Sequence, residues 1–85
     1  MKKFNYVIKD SEGIHARPAG ELVKLCKSFL SDITIETKGK SADAKRIFGI
    51  MSLAAKMNDE VVITVDGEDE ERAVGMIEEF LKENL

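Results

Sequence analysis

The sequence predicts an α+β fold with the element order β-α-β-β-α-β-α, a single sheet covered on one face by three helices. Three observations carry that expectation. Phe4, Tyr6 and Ile8 alternate with Asn5, Val7 and Lys9, Ile33 and Ile35 alternate with Thr34 and Glu36, and β-branched residues crowd at 61–65, as strands with a buried face require. Apolar residues recur at spacings of three and four over 16–30, 47–54 and 73–81, the mark of helices with one apolar stripe. No linker or internal repeat interrupts the 85 residues, so residues 1–85 are expected to form one domain, and one sheet under helices buries all the stripes at once.

Each element follows from local chemistry. Phe4, Tyr6 and Ile8 make the buried face of strand 1, which ends in the polar turn Asp10-Ser11-Glu12-Gly13. Pro18 is tolerated in a helix only in its first turn, which starts helix 1 close to His15. The stripe of that helix is Ala19, Leu22, Val23, Cys26, Phe29 and Leu30; the opposite ridge carries Arg17, Gly20, Lys24 and Lys27. Ile33 and Ile35 mark strand 2, Lys38-Gly39 a tight turn, and Lys40 to Asp43 strand 3. Ile47, Ile50, Met51 and Ala54 give helix 2, expected to end near Lys56-Met57-Asn58. Val61 to Val65 is strand 4, closed by Asp66-Gly67. The acids Glu68 to Glu71 then suit the positive start of helix 3, whose stripe is Ala73, Val74, Ile77, Phe80 and Leu81.

Composition narrows the function. The longest apolar run falls far short of the roughly 20 residues that span a bilayer, and the first residues lack a signal peptide's apolar core, so a cytoplasmic protein without membrane insertion is expected. One His and one Cys cannot make a usual transition-metal site, and no cofactor motif is present. Cys26 lies eleven residues from His15 on the same helix, about 16 Å at ~1.5 Å per residue, too far for a dyad. The net charge is −3, yet residues 1–58 carry 11 Lys or Arg against 6 Asp or Glu, and residues 59–85 carry 2 against 10. Such a split suits a basic working face steered toward an acidic partner. Nucleic acid would favour a net basic chain with stacking aromatics on strands; five aromatics and an acidic total speak against it.

The stretch with most chemistry is Gly13-Ile14-His15-Ala16-Arg17-Pro18-Ala19, holding the only histidine and the only proline. A helix start offers free N–H groups and the positive end of the dipole, an anion site in the making. A neutral imidazole there is a nucleophile beside a place where a phosphoryl group would be held. Arg17 adds a permanent planar fork of donors suited to phosphate oxygens, and Gly13 admits close approach or an unusual backbone angle. The plainer reading is that His15 caps the helix and Arg17 is a solvated charge.

This stretch resembles the active-site signature of HPr, the family of histidine-containing phosphocarriers of the bacterial phosphoenolpyruvate-dependent sugar phosphotransferase system. The resemblance continues through Gly39-Lys40-Ser41 and Lys45 to Leu53 and covers nearly the whole chain. It implies an open-faced β-sandwich with a four-stranded, mainly antiparallel sheet. It implies a stoichiometric carrier rather than an enzyme, accepting a phosphoryl group on Nδ1 of His15 from phosphorylated enzyme I and passing it to IIA domains of sugar permeases. Ala16 and Arg17 would bind the phosphate. Helix 2 would lie beside the histidine, so Ile47, Phe48 and Met51, with Gly20, Lys24 and Lys27 on the basic ridge, are expected to dock partners. Arg46 stands where many Gram-positive members carry a serine phosphorylated by a regulatory kinase, so no such kinase is expected to act. Ala54 replaces a common glycine, with little consequence expected. A paralogous phosphorelay carrier with a regulatory role shares the same motif, and a non-catalytic nucleic-acid or metabolite binding module is the rival from another class.

Overall fold

The computed structural model describes all 85 residues. The elements are β1 (Lys2–Val7), α1 (Ala16–Lys27), β2 (Asp32–Thr37), β3 (Lys40–Asp43), α2 (Ile47–Ser52), β4 (Glu60–Asp66) and α3 (Glu70–Asn84). The order is the expected one. The four strands form one sheet in the order β1-β4-β2-β3, and all three pairings are antiparallel.

Register follows from the alternation. Phe4 faces Ile63, which faces Ile35 on its other side, so one layer of apolar side chains runs under the helices. Val61, Ile63 and Val65 of β4 are buried, as are Ile33 and Ile35 of β2. The opposite face meets solvent with rows such as Lys3, Thr64, Thr34 and Asp43, the polar pattern of a one-sided antiparallel sheet. Helix α3 lies over β1 and β4, while α1 packs between α2 and α3. Leu22 and Cys26 of α1 and Ile77 and Leu81 of α3 are fully buried. Burial pushes the Cys26 thiol up to about 12, the behaviour of a small apolar core residue.

Two boundaries differ from the periodicity, while the turn between β2 and β3 is the expected one. Helix α1 ends at Lys27, and Leu30 is 77% exposed instead of joining the stripe. Its amide is taken by the Asp69 carboxylate at 2.8 Å, which turns the chain away from the helix toward β2. Helix α2 ends at Ser52 rather than near Lys56. Ala54 follows with φ +52°, a left-handed conformation that no helix continues and that a non-glycine residue adopts at a cost. The alanine therefore matters more than its small size suggested, because a glycine would sit there without strain. Lys38 (φ +53°) and Gly39 (φ +78°) make the β2–β3 turn with both central residues left-handed, as a tight hairpin demands.

Candidate functional site

Residue His15 is the N-cap of α1, with extended backbone (φ −109°, ψ 173°) and no side-chain capping hydrogen bond. The plainer reading, an imidazole occupied in capping, is therefore set aside. Its side chain is 35% exposed, so the ring is open to an approaching group while still held by its surroundings. Pro18 has no N–H, and the Ala19 amide bonds the His15 carbonyl at 3.0 Å. That leaves the Ala16 and Arg17 amides as the first-turn donors without an intrahelical acceptor. No acid occupies this first turn, so nothing on the helix itself competes for them.

The loop that presents His15 is anchored from two sides. Gly13 adopts φ +68°, and a side chain there would run into the Ala55 carbonyl and come within 2.8 Å of Lys56 Cα. The Ile14 amide bonds the same Ala55 carbonyl at 3.0 Å. On the other side, the amides of Lys9 and Asp10 donate to the Leu85 carbonyl oxygen at 2.6 and 2.9 Å, tying the loop to the end of α3. The segment after α2 is held in turn by Lys38, whose ammonium meets Asp59 at 2.7 Å and the Ala54 carbonyl at 3.2 Å.

Two acids escaped the sequence reading. Asp10 Oδ2 lies 3.2 Å from His15 Nε2, and Glu12 Oε2 lies 3.5 Å from Nδ1. The Glu12 amide, then the imidazole, holds the Asp10 carboxyl below the usual carboxylate range. The polar turn predicted at 10–13 is present, with the Glu12 amide bonded to Asp10 Oδ1 at 2.8 Å. What the turn chemistry left unsaid is that the second carboxylate oxygen is free to reach five residues along the chain.

The remaining expected residues lie on α1 and α2. Ala16, Arg17, Lys24 and Lys27 are exposed along α1, and Gly20 is half-buried. Gly20 faces Ile47: a methyl group placed on it would stand 3.7 Å from Ile47 Cδ1, so this position joins α1 to α2. Phe48 is 85% exposed and Met51 lies at the edge of exposure. A groove of about 410 Å³ brings Lys27 together with Ile47, Phe48, Arg46 and Lys45. The Lys45 ammonium donates to the Phe29 carbonyl at 2.9 Å and closes the turn after α1. Arg46 is the exposed N-cap of α2.

A family model described as "PTS HPr component phosphorylation site" matches residues 2–83. The chain belongs to the HPr family. HPr proteins of known structure agree over nearly the whole length. The histidine-containing phosphocarrier of a Mycoplasma is 36% identical over 96% of this chain and 93% of its own, with a TM-score of 0.94. HPr from Thermoanaerobacter tengcongensis is 36% identical over 96% of this chain and 92% of its own (TM-score 0.92). HPr from Bacillus anthracis is 35% identical over 94% of this chain and 95% of its own (TM-score 0.88). The open-faced sheet with three helices is thus the HPr fold, and the family is one of phosphocarriers of the phosphotransferase system. No helix is long and apolar enough to cross a membrane.

Proposed function

We propose that this chain is a cytoplasmic phosphocarrier that takes a phosphoryl group on His15 from phosphorylated enzyme I and hands it to IIA domains of sugar permeases. The observation that carries this reading is a half-exposed, uncapped imidazole at the start of α1 beside the Ala16 and Arg17 amides, in a chain of the HPr family.

Phosphoryl transfer asks chiefly for positioning and charge stabilisation. In this mechanism His15 attacks the phosphorus in line with the donor's bond. The two free amides and the Arg17 guanidinium take the phosphoryl oxygens, charge-assisted contacts stronger than neutral ones. The group then leaves by the same route to the acceptor. Partners dock on the strip formed by Gly20, Lys24 and Lys27 of α1 and by Ile47, Phe48 and Met51 of α2, where an exposed aromatic stands among cations, a composition suited to an acidic, partly apolar counterface. Arg46 offers no hydroxyl, so a kinase acting on a serine at that position leaves the chain unmodified.

The test mixes the protein with phosphoenolpyruvate and a catalytic amount of enzyme I. One acid-labile phosphoryl group is expected per chain, absent in His15→Ala and acquired about ten to a hundred times more slowly in Arg17→Ala. Uptake persisting in His15→Ala would refute the assignment. Transfer onward to a IIA domain separates sugar import from a regulatory relay.

A further inference from the structure

The loop before α1 fixes one carboxylate with unusual completeness for an exposed turn. The Asp10 amide donates to the Leu85 carbonyl at 2.9 Å, and its own carbonyl receives the Gly13 amide at 2.9 Å. Its Oδ1 receives the Glu12 amide at 2.8 Å. Oδ2 is thereby aimed, and at 3.2 Å it meets Nε2 of His15. Glu12 faces the other ring nitrogen, but at 3.5 Å it is beyond a good hydrogen bond, and its side chain is 72% exposed and free to swing away.

We infer that Asp10 is a positioning residue that sets the tautomer of His15, leaving Nδ1 as the nitrogen that bonds phosphorus. This rests on the reading that His15 carries the phosphoryl group. An ionised carboxylate only accepts hydrogen bonds, so the nitrogen it meets must carry the proton. In a neutral ring the proton on Nε2 leaves the lone pair on Nδ1. That lone pair forms the N–P bond while the donor's bond to phosphorus breaks, its electron pair staying on the donor. Nε2 keeps its proton, the ring gains one positive charge, and Asp10 stands against that charge until the group moves on. The arrangement is the familiar one in which a second group on one ring nitrogen decides what the other can do. The resemblance implied Nδ1 by analogy; the Asp10 contact supplies a physical cause within this chain.

Two substitutions separate this role from a merely structural one. Asp10→Asn keeps the turn, since its amide oxygen still accepts the Glu12 N–H, but presents an NH₂ donor to Nε2 and so favours the proton on Nδ1. Asp10→Ala removes the side-chain bond to the Glu12 amide and the ring contact together, while the backbone bonds of the turn remain. A structural role ranks phosphoryl uptake as wild type, then Asn, then Ala. Tautomer control ranks it as wild type, then Ala, then Asn, with Asn about tenfold below wild type, the effect of one hydrogen bond exchanged for its opposite.

The experiment uses the full chain labelled with ¹⁵N and reads the ring tautomer from long-range proton–nitrogen correlations at a pH where the ring is neutral. Wild type is expected to hold the proton on Nε2, Asp10→Asn to move it toward Nδ1, and Asp10→Ala to lie between. Uptake from phosphorylated enzyme I is then timed for all three. A proton on Nδ1 in the wild type, an unchanged tautomer in Asp10→Asn, or faster uptake by Asn than by Ala would overturn the inference. Failure of every chain, wild type included, to accept a phosphoryl group would instead defeat the proposed function, and the tautomer measurement, which needs no donor, would still decide the part played by Asp10.

Discussion

Two loops in this molecule lead a strand into a helix with an acid and a glycine, and they are put to different ends. In the loop from β1 to α1, Asp10 shares its carboxylate between the Glu12 amide and the His15 ring. In the loop from β4 to α3, Asp69 gives both oxygens to a neighbouring turn: Oδ2 to the Leu30 amide at 2.8 Å, Oδ1 to the Ser31 amide at 3.0 Å and to the Ser31 hydroxyl. Glu70 and Glu71 fill the first turn of α3, whereas the first turn of α1 holds no acid. One loop commits its acids to amides of its own and of a neighbouring turn and so staples two elements. The other leaves donors and a half-exposed ring open at a helix start. The same local grammar thus yields a fastener at one position and a reactive surface at the other.

The glycines give the sharpest way to break the contrast. Gly13 is pressed against Ala55 and Lys56, and Gly67 would bring a side chain within 2.6 Å of Ser31 Cα. Either glycine replaced by alanine is expected to destabilise the fold by about 3 kcal/mol or more, because backbone must move and Gly13 also has φ +68°. Only Gly13→Ala should also lower phosphoryl uptake per folded molecule; Gly67→Ala should leave it intact. Urea unfolding combined with uptake corrected for the folded fraction makes the comparison, and equal losses of uptake would erase the distinction between the loops.

A smaller effect concerns acid. Ser31 and the Leu30 amide hold the Asp69 carboxyl below its ordinary value. A group whose folded pKa is depressed contributes stability above its unfolded value, about 4, and that contribution disappears as pH falls through the lower folded value. Ser31→Ala is therefore expected to lower the melting temperature by several degrees at pH 7 and to shrink the loss between pH 5 and pH 2, with uptake at neutral pH unchanged. Thermal melts across that pH range check it.

Smallest is Ala54, beside the first loop's support. Ala54→Gly relieves the left-handed strain at φ +52° and should stabilise by about 0.5–1 kcal/mol, or a few degrees in melting temperature, after the greater freedom of glycine in the unfolded chain is set against the relief.

Periodicity sufficed for the element order and most of the core because Ile33, Ile35, Val61, Ile63 and Val65 are buried by the rule that reads them. It failed at Leu30, where spacing continued but the Asp69 carboxylate captured the chain from 39 residues away, and at Ala54, where a helical spacing outlasted the helix. At the site, His15 and the two free amides were legible from Pro18 and the helix start alone. Asp10 was legible only as a turn former, since a contact to a ring five residues on depends on the Leu85 and Gly13 bonds that orient it. Long-range hydrogen bonds leave no period to read.

The strand order β1-β4-β2-β3 also governs how the molecule is born. The β2–β3 hairpin can close within a few residues of its turn, but β1, made first, has no edge to join until Glu60–Asp66 has been synthesised. Until β4 is made the segment leading to the histidine therefore has no strand to pair with, and β1 and the hairpin join β4 in a late, nonlocal step, slower than the small size of the sheet alone would suggest.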